Sequence, residues 1–183
     1  SESRENFFGA IVSGGQTMNP STEEILSAFR DLPTDKIVIL PNNKNIILAA
    51  QAAASVSDKK VAVIPSKTVP QGISSILRLM PGMEFETVIE DMIEACEEVE
   101  TGEITVATRT VEINGVSVEE GQVIALHNGT LIQSCSSIDD AVNSLLAEVD
   151  MEERERVTFF YGEDISMDEV EAIQKQFTES LYG

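Results

Sequence analysis

Two uninterrupted apolar runs, KIVIL at residues 36–40 and KVAVI at residues 60–64, constrain this chain more than any other feature. A strand that reads apolar without alternation is buried on both faces, and such strands belong to parallel sheets covered by helices. The flanking sequence supplies those helices. Ser21 can cap a helix predicted over residues 21–32, Glu24 completes a capping box, and Ile25, Leu26, Phe29 and Leu32 form its apolar stripe. Alanines at positions 49, 50, 52, 53 and 54 predict a second helix, running to about Val56 and packed closely on a sheet. Ala10, Ile11 and Val12 read as an earlier strand. After a loop over residues 65–72, Ile73, Ile76, Leu77 and Met80 read as a third helix. The resulting β-α-β-α-β-α rhythm predicts a parallel sheet with right-handed crossovers. Ligands and partners of such sheets meet the crevice beyond the carboxyl ends of the strands.

Pro81-Gly82 breaks the rhythm and predicts a boundary between a parallel α/β lobe, residues 1–81, and a second lobe, residues 82–183. The second lobe opens on an amphipathic helix over residues 84–100. Its apolar face carries Phe85, Val88, Ile89, Met92, Ile93, Cys96 and Val99, and its other face is glutamate-rich. The period then changes to two. Residues 103–112 read as a half-solvated strand, Asn114-Gly115 as a turn, and residues 122–127 and 130–135 as a hairpin around Asn128-Gly129. Residues 137–149 read as a helix, 156–161 as a strand and 166–181 as a last helix. The second lobe is therefore mostly antiparallel α+β.

Twelve basic residues against 32 acidic ones give a net charge of −20. That field repels phosphate backbones and anionic lipid heads, so nucleic acid is an unsuitable partner and stable membrane insertion is not expected. No apolar run reaches 18 residues, and no secretory signal is visible. Cys96 and Cys135 stand far apart, and Cys96 falls on an apolar helix face, which predicts a buried free thiol and a reducing cytoplasm. The chain opens on Ser1, as a processed form or a piece of a longer protein does.

Three polar loops fall at strand ends. Gly14, Gly15, Gln16, Thr17 and Asn19 join the first strand to a helix N-terminus, where glycines admit close backbone approach and free amides favour an anion. Asn42, Asn43, Lys44 and Asn45 follow the second strand, and Ser66, Lys67, Thr68 and Gln71 the third. Each loop can be a binding element or simply a capped turn. The nucleotide-loop glycine spacing is missing. His127, the single histidine, precedes the hairpin turn and reads as a ring packed on the sheet. No Cys/His cluster has zinc spacing, and no aspartate cluster suggests Mg²⁺-nucleotide chemistry. These residues predict no catalytic and no metal site.

The runs GGQTMNPSTEEIL, IVILPNNKNIILAAQAAA and VAVIPSKTVPQGISSIL, with the later VATRTVEINGVSVEEGQVIALHNGTLI and VTFFYGEDIS, resemble the C-terminal region of the large polypeptide of bacterial fatty acid kinase. That family was long grouped as dihydroxyacetone-kinase-like, and the resemblance covers nearly all of the chain after Gly9. It implies a DegV-like α/β fold with two lobes, in a chain that normally continues past Gly183 into a closing strand. It implies ATP and Mg²⁺ held by aspartates of a separate N-terminal domain, with no cofactor in this portion. It implies a role in docking a DegV-type fatty-acid-binding protein, the partner that presents acyl substrate for phospholipid synthesis. A fatty acid pocket is the alternative, with Thr17, Ser66 and Thr68 as hydroxyls for a carboxylate. A free-standing kinase or phosphatase is a third reading. Dihydroxyacetone kinases hold substrate on a histidine, and His127 lies outside the matching loops.

Overall fold

A computed structural model describes residues 9–13, 18–113, 115–149, 156–163 and 165–182. The architecture is mixed α/β, and it divides into two compact units, Ser1–Thr101 and Gly102–Gly183.

In the first unit, helix α1 (Thr22–Arg30) starts where the sequence places it. Ser21 accepts from the Glu24 amide at 3.2 Å, and the Glu24 carboxylate accepts from the Ser21 amide at 2.7 Å. Strand β1 (Lys36–Ile39), helix α2 (Ile47–Ser55) and strand β2 (Lys60–Val63) follow. β1 and β2 pair in parallel, with Lys36 opposite Lys60 and Ile39 opposite Val63. Ile25, Phe29, Ile37, Ala50 and Ala53 form one core between these elements. The alanines of α2 let it approach the sheet closely, and Ala50 and Ala53 are fully buried.

Three expectations change in this unit. Residues 9–13 form no strand: among the described residues the sheet has only β1 and β2, and Ile11 is 95% exposed. Three apolar residues without a ladder partner cannot bury enough surface to hold a strand. Helix α3 (Val69–Ile76) begins inside the expected loop, because the Thr68 hydroxyl accepts from the Gln71 amide and Pro70 sits in the first turn. Helix α4 (Phe85–Glu97) belongs to this unit rather than to the second. Its Val88, Met92 and Cys96 pack with Ile64 in a second core, and that burial outweighs the Pro81-Gly82 break.

In the second unit, β3 (Gly102–Val106), β6 (Val123–His127) and β7 (Thr130–Cys135) form an antiparallel sheet in the order β3-β6-β7. β6 and β7 meet at the Asn128-Gly129 turn, where both residues have positive φ, 49° and 71°. Strands β4 (Val111–Ile113) and β5 (Val116–Val118) make a separate hairpin. The single strand expected over 103–112 is thus two, parted around Ala107, whose buried side chain packs with Val118 and Leu131. Asn114 lies outside the described residues. Helix α5 (Ile138–Glu148), capped by Ser137, covers the sheet through Ala141 and Leu145 against Ala125 and Cys135. His127 is half-buried, with Nδ1 3.9 Å from the Glu148 carboxylate.

Residues 156–161 join no ladder, where a strand is expected. Phe159 stacks edge-on against Phe177 of helix α6 (Met167–Tyr182), while Phe160 and Tyr161 remain exposed. Their β-favouring composition needs a neighbouring strand to become a ladder, and no described strand supplies one.

Capping carboxylates make one stability contribution pH-dependent. Hydrogen bonds from the Ser21 amide and hydroxyl hold Glu24 below its ordinary pKa of 4.5, and bonds from the Ser166 hydroxyl and amide do the same for Glu169. A lowered folded-state value gives stability that is present above pH 4.5 and lost as pH falls through the folded value. A Glu24→Ala variant should therefore melt below wild type at neutral pH, and the gap should close on acidification. Thermal unfolding across that range checks it.

Candidate functional site

β1 and β2 run in parallel, so their carboxyl ends bring residues 41–45 and 65–71 together. The contact between the two loops is a small polar lock. Asn42 adopts φ 55°, the left-handed region that asparagine tolerates. In that conformation its amide donates to Ser66 Oγ at 3.0 Å, and Ser66 Oγ donates back to Asn42 Oδ1 at 2.9 Å. Ser66 is fully buried. Gly72 in α3 backs onto the same asparagine so closely that a Cβ there would lie 2.0 Å from Oδ1.

A second set of bonds ties the β2–α3 loop to the end of α4. The Lys67 amide donates to Gln71 Oε1 at 2.8 Å, and Gln71 Nε2 donates to the Val99 carbonyl at 3.1 Å. Thr68 Oγ1 and Thr101 Oγ1 lie 2.7 Å apart. Ser75 Oγ sits 3.0 Å from the Gln71 carbonyl and 2.9 Å from that of Met92. Ser66, Thr68, Gln71 and Ser75 are the buried polar residues of this region, and each is hydrogen-bonded within the protein, as burial requires.

The predicted residues thus separate by position. Asn42, Ser66, Thr68 and Gln71 hold the loops. Lys44, Asn45 and Lys67 are exposed at the strand ends, and Asn43 shapes its own turn by accepting from the Asn45 amide at 2.9 Å. Asn19, Asn42 and Asn43 reach the rim of a groove. Gly14, Gly15, Gln16 and Thr17 lie outside the described residues.

That groove is what sequence reasoning missed. It runs along β1 with a volume of about 1070 Å³, walled by Phe29, Val38, Leu40, Leu79, Met80, Met83 and Met92 among others. Its only advance signal is the methionine pair at 80 and 83 beyond α3, where flexible apolar side chains suit an adaptable wall. Nearby, burial pushes the Cys96 thiol above its ordinary pKa, which disfavours the reactive thiolate. Among the described residues no three His, Cys, Asp or Glu side chains are placed to hold a metal ion. No helix among them is long and apolar enough to cross a membrane.

A chain of this geometry is similar to known proteins along almost its whole length. The family model for the C-terminal region of FakA-like fatty acid kinase proteins matches residues 3–182. Protein YloV of Bacillus subtilis is 43% identical over 169 residues, which are 92% of this chain and 31% of that protein. An uncharacterized protein of Staphylococcus epidermidis is 38% identical over 158 residues, 84% of this chain and 28% of its own length. One from Staphylococcus aureus is 37% identical over 154 residues, with the same coverage. The chain spans less than a third of the length of these relatives. It belongs to the FakA-like C-terminal family of fatty acid kinase proteins.

Proposed function

We propose that this chain is the docking portion of a fatty acid kinase. It holds a DegV-type fatty-acid-binding protein so that an ATP- and Mg²⁺-binding domain, outside this sequence, phosphorylates the presented acyl carboxylate. The acyl phosphate so formed would serve phospholipid synthesis in the cytoplasm. The observation that carries this reading is the family match over residues 3–182, which assigns nearly the whole chain to the C-terminal part of a kinase polypeptide. The strand-end loops favour it too. Their buried side chains are spent on holding the loops together, while Lys44, Asn45 and Lys67 face outward on a fixed frame. A frame held that way loses little entropy on binding a protein surface.

The immobilised chain should retain the purified fatty-acid-binding protein. The full-length kinase with this region deleted should still bind ATP but lose most turnover of carrier-bound fatty acid. Undiminished carrier binding by the deleted kinase would overturn the proposal.

The groove along β1 favours a second reading, a lipid site. Its apolar walls and asparagine rim suit a molecule with a long apolar tail and a polar head. Native mass spectrometry of the purified chain separates the two: a co-purified acyl chain supports the lipid site, and a ligand-free spectrum supports docking alone.

A further inference from the structure

The groove along β1 is the open edge of the sheet rather than a hollow on its face. Ile37 and Ile39 pack to one side of β1, with the core of α1 and α2, while Val38 and Leu40 pack to the other, with Ile64 and α4. All four line the groove, which only the edge of a strand allows. Helices wall it on both sides, through Ile25 and Phe29 of α1 and Val88 and Met92 of α4. It has the form of a place for one more strand.

The backbone says what fits. The Asp35 carbonyl accepts from the Lys60 amide at 2.8 Å and the Ile39 carbonyl from the Ile64 amide at 3.0 Å, so Asp35, Ile37 and Ile39 turn to β2. Lys36, Val38 and Leu40 turn the other way. Thr34 Oγ1 serves Lys36, donating to its carbonyl and accepting from its amide, each at 3.3 Å. The outward amides and carbonyls of Val38 and Leu40 have no protein partner among the described residues. An acyl tail lying over them leaves them unpaired, at a cost, whereas an extended backbone pairs them.

One such backbone is already at hand. Gly9, Ala10, Ile11 and Val12 line the same groove outside any ladder. In sequence, α1 stands between them and β1 as α2 stands between β1 and β2, so pairing with β1 repeats the β-α-β unit of the sheet. Among the described residues lining the groove there is no carboxylate, and Lys36 is the one cation. An uncharged segment therefore enters without stripping water from a row of charges.

We infer that residues 10–12 are a strap that closes the groove by adding to the outer edge of β1 as a third parallel strand, the structure holding the open form. Three residues make a strand too short to hold permanently, so the strap opens and closes. Its tether keeps its local concentration high, so closure competes with any ligand of the groove. Closed, it excludes an acyl tail; this half rests on the lipid reading above.

The test compares the full chain with its Ile11→Pro, Val12→Pro double variant, which keeps the segment apolar and removes its ladder amides. Amide exchange is read residue by residue by NMR at neutral pH. Val38 and Leu40 should exchange about fivefold faster in the double variant than in wild type. Ile37 and Ile39, which bond to β2, should not change, and so report an intact fold. Leu48→Asp, on the exposed side of α2, is the control and should exchange as wild type does. Equal exchange of Val38 and Leu40 in wild type and double variant overturns the strap. One closing equilibrium sets both effects, so palmitate retention in native mass spectrometry should also rise about fivefold in the double variant. Equal retention overturns the exclusion. Retention by neither protein overturns the lipid reading, with the strap decided by exchange alone.

Discussion

Gly72→Ala should destabilise the first unit by about 3 kcal/mol, although alanine in a helix ordinarily improves on glycine by about 1 kcal/mol. The sign reverses because of one neighbour. An added Cβ would lie 2.0 Å from Asn42 Oδ1, 2.7 Å from Cγ and 2.9 Å from Nδ2. Asn42 cannot swing aside cheaply, since Ser66 holds it through two hydrogen bonds and is itself fully buried. Moving the side chain leaves the buried Ser66 O–H without its acceptor, although the Asn42 backbone amide still donates to Ser66 Oγ, and a buried donor left unpaired costs about 1–3 kcal/mol on its own. The companion variant Asn42→Gly accepts the positive φ freely and removes the obstructing side chain. The double variant should therefore be about as stable as Asn42→Gly alone. Urea unfolding of the four proteins measures the coupling, and additive effects would show that the two loops are not locked through this contact.

Met92→Ala should cost about 3 kcal/mol, because the side chain is 1% exposed and lies at the centre of the Ile64, Val88 and Cys96 cluster. The Met92 backbone keeps its bond to Ser75, so the loss comes from the cavity. The two free cysteines report on it separately. Cys96 lies in the affected cluster and Cys135 in the core of the second unit. Thiol labelling under native conditions should accelerate about a hundredfold at Cys96 if opening limits access. It should stay near the wild-type rate at Cys135. Equal acceleration at both sites would mean that the units open together.

Much of the fold was legible where the signal is local. Ser21 and Glu24 mark the start of α1 because a capping box needs only four residues. Asn128-Gly129 marks the β6–β7 hairpin because its turn requires positive φ at both positions. The errors lie where a neighbour decides. Residues 10–12 and 156–161 have the composition of strands, but composition supplies no ladder partner. The start of α3 is carried by Thr68 followed by Pro70, a pair that suits the first turn of a helix and a stiff loop equally well. At the candidate site, sequence placed the strand-end loops of Asn42 and Ser66 side by side. It could not divide Ser66, Thr68 and Gln71, which face inward, from Lys44 and Lys67, which face out. That division depends on α3 turning its polar side to the core, and helical spacing does not give the direction in which a stripe points.

The exposed run of Val157, Phe160 and Tyr161 has a consequence for how the protein behaves in bulk. An uncharged, β-favouring segment without a ladder partner can template the same segment of another molecule and seed precipitation. The net charge of −20 opposes this by keeping molecules apart. Colloidal stability is then borrowed from electrostatics rather than built into that edge. It shrinks as the solution approaches the isoelectric point near 4.2 and as added salt shortens the range of repulsion. Concentrated stocks belong at neutral or alkaline pH and modest ionic strength.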